Sequence, residues 1–163
     1  MKHGFTIIEL LIVVLISTAL VGVGVAGYRD FAMRQEIDAS MRIISSDLRR
    51  AQSLALSGVK PETGCTGTFN GYRFRFTSNA GQIVSYSTAP VCNNTDLVAT
   101  TTVLPTTVLL SLSPSGTTSI LFRPLGQGTD LPSGNPMTIT IQSSGTFTGR
   151  RGTIRVTATG EID

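Results

Sequence analysis

Charge is what this chain of 163 residues has least of: 14% of its residues are Asp, Glu, Lys or Arg, against about 25% in a typical soluble domain. The 13 cations exceed the 10 anions by three, too small a surplus for a polybasic nucleic-acid tail. Lysine is nearly missing, with Lys2 and Lys60 alone. One histidine and two cysteines are too few soft ligands for a structural metal site. No glycine-rich phosphate loop and no nucleophile elbow occurs, and Gly126-Gln127-Gly128 is a lone turn. Carboxylates pair only at solvent-facing helix positions. These absences speak against an enzyme and against any cofactor. The length admits one domain, or one smaller domain with an appendage, and excludes two full ones.

What the chain does have begins at Leu10. LLIVVLISTALVGVGVAGY, ending at Tyr28, is nineteen residues without a charge, an Asn, a Gln or a proline. At about 1.5 Å per residue such a helix nearly crosses a hydrocarbon core of about 30 Å, and Phe5 to Ile8 complete the span. A buried helix of a soluble protein rarely runs this far without a polar stripe. A secretory signal would carry a longer basic region and a cleavage site behind its apolar run. Here the basic segment is only Met1-Lys2-His3-Gly4, and an acid, Glu9, stands near the start of the apolar run. A carboxylate costs about 2.5–3.5 kcal/mol at the centre of a membrane helix and less near the interface, so Glu9 calls for a compensating amine.

After Tyr28 the composition changes, with Arg29, Asp30, Arg34, Glu36, Asp38, Arg42, Asp47, Arg49 and Arg50 following closely. Ile37, Met41, Ile44, Leu48, Ala51 and Ala55 recur at alternating steps of four and three, which places them on one stripe of a continuing helix. Gly58 and Pro61 are stop signals, so the pattern predicts one helix from Phe5 to near Ser57, about 75 Å long. Beyond it the chain is rich in Thr, Ser and Gly. Tyr72-Arg73-Phe74-Arg75-Phe76 alternates as a half-buried strand, with Gln82 to Ser87 as hairpin partner across Ser78-Asn79-Ala80-Gly81. Further strands are expected at Thr107–Leu112, Ser119–Arg123, Met137–Gln142 and Thr153–Thr157. Together they predict an α+β fold in which a single antiparallel sheet receives the Ile37 to Ala55 stripe.

The run Gly4-Phe5-Thr6-Ile7-Ile8-Glu9, followed by Leu10-Leu11-Ile12-Val13-Val14, resembles the class III signal of type IV pilins and type II secretion pseudopilins. The resemblance implies that a prepilin peptidase cuts between Gly4 and Phe5 and methylates the new amino terminus, while the apolar helix is kept. Glu9 would then neutralise the ammonium of Phe5 or of a neighbouring subunit. His3 would leave with the leader, removing the one imidazole. Lys2 agrees with a cytoplasmic N-terminus. The organisation that follows is a leader over 1–4, a membrane or filament-core helix over 5–28, its amphipathic continuation over 29–58 and a β-rich head over 59–163. The implied partners are the peptidase, other pilin or pseudopilin subunits, an inner-membrane assembly platform and lipid. Localisation would be the bacterial inner membrane, head outside the cytoplasm, and then a filament.

Many pilins carry a proline near the position of Ala26, and this chain has Gly22, Gly24 and Gly27 instead. The glycines either soften the helix or let it pack closely against others. In the head, the run from Ser46 to Ala55, the segment Ile120-Leu121-Phe122-Arg123-Pro124-Leu125-Gly126 and the ending Thr153-Ile154-Arg155-Val156 with Thr159-Gly160 are similar to GspH/FimT-like minor pseudopilins. A major pilin is a further reading that the signal does not separate from a minor one.

Cys65 and Cys92 flank the first hairpin. One disulfide there would suit an extracytoplasmic head, and two unpaired thiols would suit a reducing compartment. Arg49, Arg50, Arg73, Arg75, Arg123, Arg150, Arg151 and Arg155 are candidates for a basic face, and a nucleic-acid contact would rest on Arg150 and Arg151. The DNA-binding branch of the FimT-like family implies a Gly-Arg-x-Arg motif near the C-terminus. Here that turn reads Gly160-Glu161-Ile162-Asp163, which counts against DNA.

Overall fold

The computed structural model describes residues 6–144 and 151–163. It is an α+β structure of one long helix and antiparallel sheets. Helix α1 spans Ile7–Leu56, one or two residues inside each expected end. Its N-terminus is capped by Thr6, whose Oγ1 accepts the Glu9 N–H at 3.3 Å and whose carbonyl accepts the Leu10 N–H at 3.2 Å. At the other end Gly58 takes φ +62°. The Gly58 N–H reaches the Ala55 carbonyl at 3.0 Å and the Val59 N–H the Leu54 carbonyl at 3.3 Å, the paired bonds of a glycine-terminated helix.

The chain divides into two compact units, one ending at Gln35 and one spanning Glu36–Asp163. In the first, every described side chain from Thr6 through Arg29 is exposed. In the second, the predicted stripe is the helix's buried face: Ile37, Ile44, Leu48, Ala51 and Ala55 are inside and Met41 is partly so. Each fully buried Ile or Leu contributes about 1.5–3 kcal/mol over its exposed state.

Among the described residues eight strands follow: β1 Phe69–Asn79, β2 Gln82–Cys92, β3 Thr95–Asp96, β4 Thr100–Val103, β5 Val108–Ser113, β6 Ser119–Phe122, β7 Met137–Ser143 and β8 Arg151–Val156, with a 3-10 turn at Pro124–Gly126. They form two sheets rather than the single one expected. The first has the order β3-β2-β1-β6, with β4 also on β2, and the second the order β5-β7-β8. Alternation within a strand fixes which face is inward but not which strand lies beside it. The outer edge of β6 is already taken, because Thr129 bridges Phe122 and Asp130 bonds both backbone groups of Leu121. The strands β5, β7 and β8 therefore pair with one another. Their inward sets, with Val108 and Leu110, Met137, Ile139 and Ile141, and Ile154 and Val156, join Phe74, Phe122 and the helix stripe in one core.

The first hairpin is longer than expected. Ala80 and Gly81 have φ of +50° and +82°, the two positive values of a tight turn of the I′ type, so pairing continues to Asn79 opposite Gln82. Strands β3 and β4 were absent from the expected set, since Thr95–Asp96 and Thr100–Val103 carry no apolar alternation. In β8, a side chain at Gly152 would run into Met41, which shows how closely this strand approaches α1.

Candidate functional site

The N-terminal residues proposed for processing, Gly4 and Phe5, lie outside the described residues. Glu9 stands in the first turn of α1, three residues after the capping Thr6. Thr6-Ile7-Ile8-Glu9 has the spacing of a capping box, in which the acid at the third helical position faces back toward the entering chain. That pattern was readable in the sequence, and of its two reciprocal bonds the one seen runs from the Glu9 N–H to Thr6 Oγ1. Glu9 is exposed, and among the described residues it makes no ion pair. It is the one charge between Ile7 and Tyr28.

The helix behind it reaches a mean hydropathy of 2.6 over an 18-residue window, none of it buried. Ile7 is 81% exposed and Leu15 70%. This helix is long and apolar enough to cross a membrane. Nothing lies within 4 Å of where a Cβ would stand on Gly22 or Gly27, so no other described residue occupies the space their missing side chains leave.

Cys65 and Cys92 form a disulfide, with Cα atoms 5.6 Å apart and a separation of 27 along the chain. Of the two readings left open by the sequence, the paired one holds. The bond ties the loop after α1 to the end of β2, where the Asn93 N–H also reaches the Thr68 carbonyl at 2.9 Å and the Thr68 N–H reaches Asn93 Oδ1 at 2.9 Å. Replacing both cysteines by serine is expected to lower stability by roughly 3–4 kcal/mol, the loop-closure entropy of a ring this size. Denaturant unfolding of the full chain in detergent, followed by tyrosine fluorescence, measures it.

The candidate arginines are spread over several elements. Arg73 and Arg75, neighbours on the outward face of β1, both hold Asp96 of β3: Arg73 Nη1 meets Oδ1 at 2.6 Å and Arg75 Nη2 meets Oδ2 at 2.7 Å. One carboxylate thus offsets half of the charge of two guanidiniums. Sequence reading missed Asp96, although two arginines two residues apart on one strand face are a signal for a nearby acid. Arg49 and Arg50 are exposed on α1, and Arg151 and Arg155 are exposed on β8. Arg150 lies outside the described residues, so the Arg150 and Arg151 pair is half placed.

Between α1 and the first sheet is a cavity of about 370 Å³, lined among others by Asp47, Arg50, Tyr72, Tyr86 and Thr102. The Tyr86 hydroxyl donates to Asp47 Oδ2 at 2.7 Å, and its ring stacks on Phe74 with centroids 4.9 Å apart. Burial, and after it the hydrogen bond to Asp47, raises the Tyr86 phenol well above its ordinary value. Burial also raises Tyr72, whose hydroxyl donates to the Val59 carbonyl at 3.2 Å. A folded-state pKa above the unfolded one means that these phenols contribute stability fully present below about pH 10 and lost as pH rises from there toward the folded value. Tyr86→Phe is expected to cost about 1 kcal/mol at neutral pH and to flatten the alkaline decline, read as unfolding midpoints between about pH 8 and 11.

Among the described residues no three His, Cys, Asp or Glu converge as metal ligands. Comparison with protein-family models, with curated proteins and with solved structures finds no match to this chain.

Proposed function

We propose that this chain is a structural subunit, a minor pilin or pseudopilin, of a type IV pilus or type II secretion pseudopilus, with a pilin-like fold and no enzymatic activity. The observation that carries the reading is the sequence from Gly4 to Val14, whose Ile7 opens one helix, Ile7–Leu56, that is apolar in its first part and exposed there at every described side chain. Such a helix must be covered by something, and lipid and the helices of sister subunits are both apolar enough to do so.

In this reading prepilin peptidase cuts after Gly4, the methylated Phe5 becomes the N-terminus, and an inner-membrane platform transfers the helix from lipid into a filament. Small positions such as Gly22 and Gly27 let neighbouring helices approach. Glu9 sets the register by pairing with an ammonium, since an unpaired carboxylate among apolar helices is strongly disfavoured. The β-rich part is carried outside the cytoplasm, which agrees with the disulfide.

The test is the intact mass and N-terminal sequence of the protein recovered from its host membranes without reductant. A chain beginning at N-methylated Phe5, and two hydrogen atoms lighter than its reduced form, is the expected result. A chain beginning at Met1 would leave a membrane-anchored β domain and remove the filament reading.

A further inference from the structure

One half of the edge strand β8 is unpaired in a way that defines what it can accept. Its even residues face β7, with Gly152 opposite Ile141, Ile154 opposite Ile139 and Val156 opposite Met137. Its odd residues turn their backbone groups the other way. Arg155 exchanges both backbone hydrogen bonds with Asp163, at 2.9 and 3.0 Å, and the Thr157 N–H reaches the Glu161 carbonyl at 3.0 Å. Glu161–Asp163 is thus a short added strand on the second half of β8. By the two-residue period of a strand, the next outward donor and acceptor belong to Thr153, and among the described residues nothing bonds them.

Beside Thr153 runs an open slot of about 460 Å³ between α1 and β8. Met41 and Ile154 give it an apolar floor, and Arg42 and Arg49 stand along the helix side. These two are seven residues apart, about two helical turns, and so share a face. On the opposite, solvent face of β8 are Arg151 and Arg155, both exposed. Among the described residues none of the four arginines makes an ion pair.

The segment already paired there shows which side chains fit. Ile162 lies opposite Val156 and packs on the core, while Glu161 and Asp163 alternate to the outward face, Asp163 directly across from Arg155. We infer that the slot receives an extended segment of a partner protein with alternating acidic and apolar residues, added to the open half of β8 as an antiparallel strand. Its backbone bonds Thr153, its apolar side chains cover Met41 and Ile154, and its acids, on the outward face, meet Arg151 and Arg155. This inference stands apart from the processing of the N-terminus, because it uses only the Glu36–Asp163 unit.

The test uses the full chain in detergent micelles and a fluorescent, end-capped peptide Thr-Glu-Ile-Asp-Val-Glu, read by anisotropy. Saturable binding is expected, weakened about tenfold or more by the double variant Arg151→Glu with Arg155→Glu, and regained by that variant toward a peptide with lysine in place of each acid. A peptide N-methylated at alternate residues along its pairing edge should lose binding by a similar factor. Unaltered thermal unfolding of the double variant shows that its fold is kept. No binding of the parent peptide, equal binding by the N-methylated one, or equal binding by the double variant would each overturn the proposal. So would concentration-dependent self-association that excludes the peptide, since the occupant would then be a second copy.

Discussion

Glu9→Val is expected to leave the protein in the membrane fraction and to reduce its recovery in assembled filaments on the order of 100-fold, because removing one partner of a desolvated ion pair costs about 3 kcal/mol or more. The substitution makes the helix more apolar, so membrane insertion does not suffer. In the proposed reading what is lost is the carboxylate that would face an incoming ammonium, which in apolar surroundings has no water to turn to. Any contribution of Glu9 to the helix start beside Thr6 has to be separated from this. Glutamine also serves at the third position of a capping box, so Glu9→Gln retains the helix start while losing the charge, and it should fail in assembly nearly as badly as valine. Quantitative immunoblotting of membranes and of purified filaments reads both. Filament recovery at the parent level for either variant would remove the charge-pairing role from Glu9.

Gly71→Ala should act on the fold instead, with a loss above about 4 kcal/mol, in the range reserved for broken backbone geometry. Gly71 has φ +128°, a region that L side chains rarely enter. It follows an extra residue in β1, since Phe69 pairs with Cys92 and Gly71 already with Val91, leaving Asn70 as the bulge. Asn70 is used in its displaced position, its Oδ1 accepting the Asn94 N–H at 3.0 Å. A methyl group on Gly71 would be driven into the Phe122 carbonyl, the end of the β1–β6 ladder where Tyr72 pairs with Phe122. Either the bulge or the ladder must give way, and Phe122 is 2% exposed in the core. Gly81→Ala is a suitable contrast, since its own φ is positive but nothing lies within 4 Å of the added carbon. It should cost only the local strain of about 1–2 kcal/mol. Comparable losses at the two positions, measured by denaturant unfolding, would mean that steric closeness at Phe122 is not what Gly71 relieves.

These two residues mark how far sequence alone reaches. The α1 stripe was legible because steps of three and four put Ile37 through Ala55 on one side, and all but Met41 of that set are buried. The strands at Tyr72, Ser119, Met137 and Thr153 were legible from their alternation. The split into two sheets was not, because it depends on Asp130 and Thr129 occupying the edge of β6 from nine and seven residues beyond their partners Leu121 and Phe122. Neither was β4, where Thr100-Thr101-Thr102-Val103 reads as a polar loop until it is seen lying along Ser85 to Thr88. Gly71 and Gly152 look alike in sequence and are explained only by what approaches them, a backbone carbonyl in one case and Met41 in the other. The cysteine pairing was one of two open options, and proximity decides it. Of the N-terminal candidates, Glu9 gained Thr6 as a local neighbour, while Gly4 and Phe5 rest on the sequence pattern.

The disulfide has a consequence for proteolysis. Between Cys65 and Cys92 the only basic residues are Arg73 and Arg75, so any tryptic nick within that stretch falls at one of two bonds inside a covalent ring. The severed halves stay linked through sulfur, and the chain still migrates as one piece until a reductant is added. A protease that reaches β1 after loss of the Asp96 contacts would therefore leave a clipped molecule that keeps both ends of its cut. Paired gels with and without reductant would count such molecules directly, even in samples that show a single intact band.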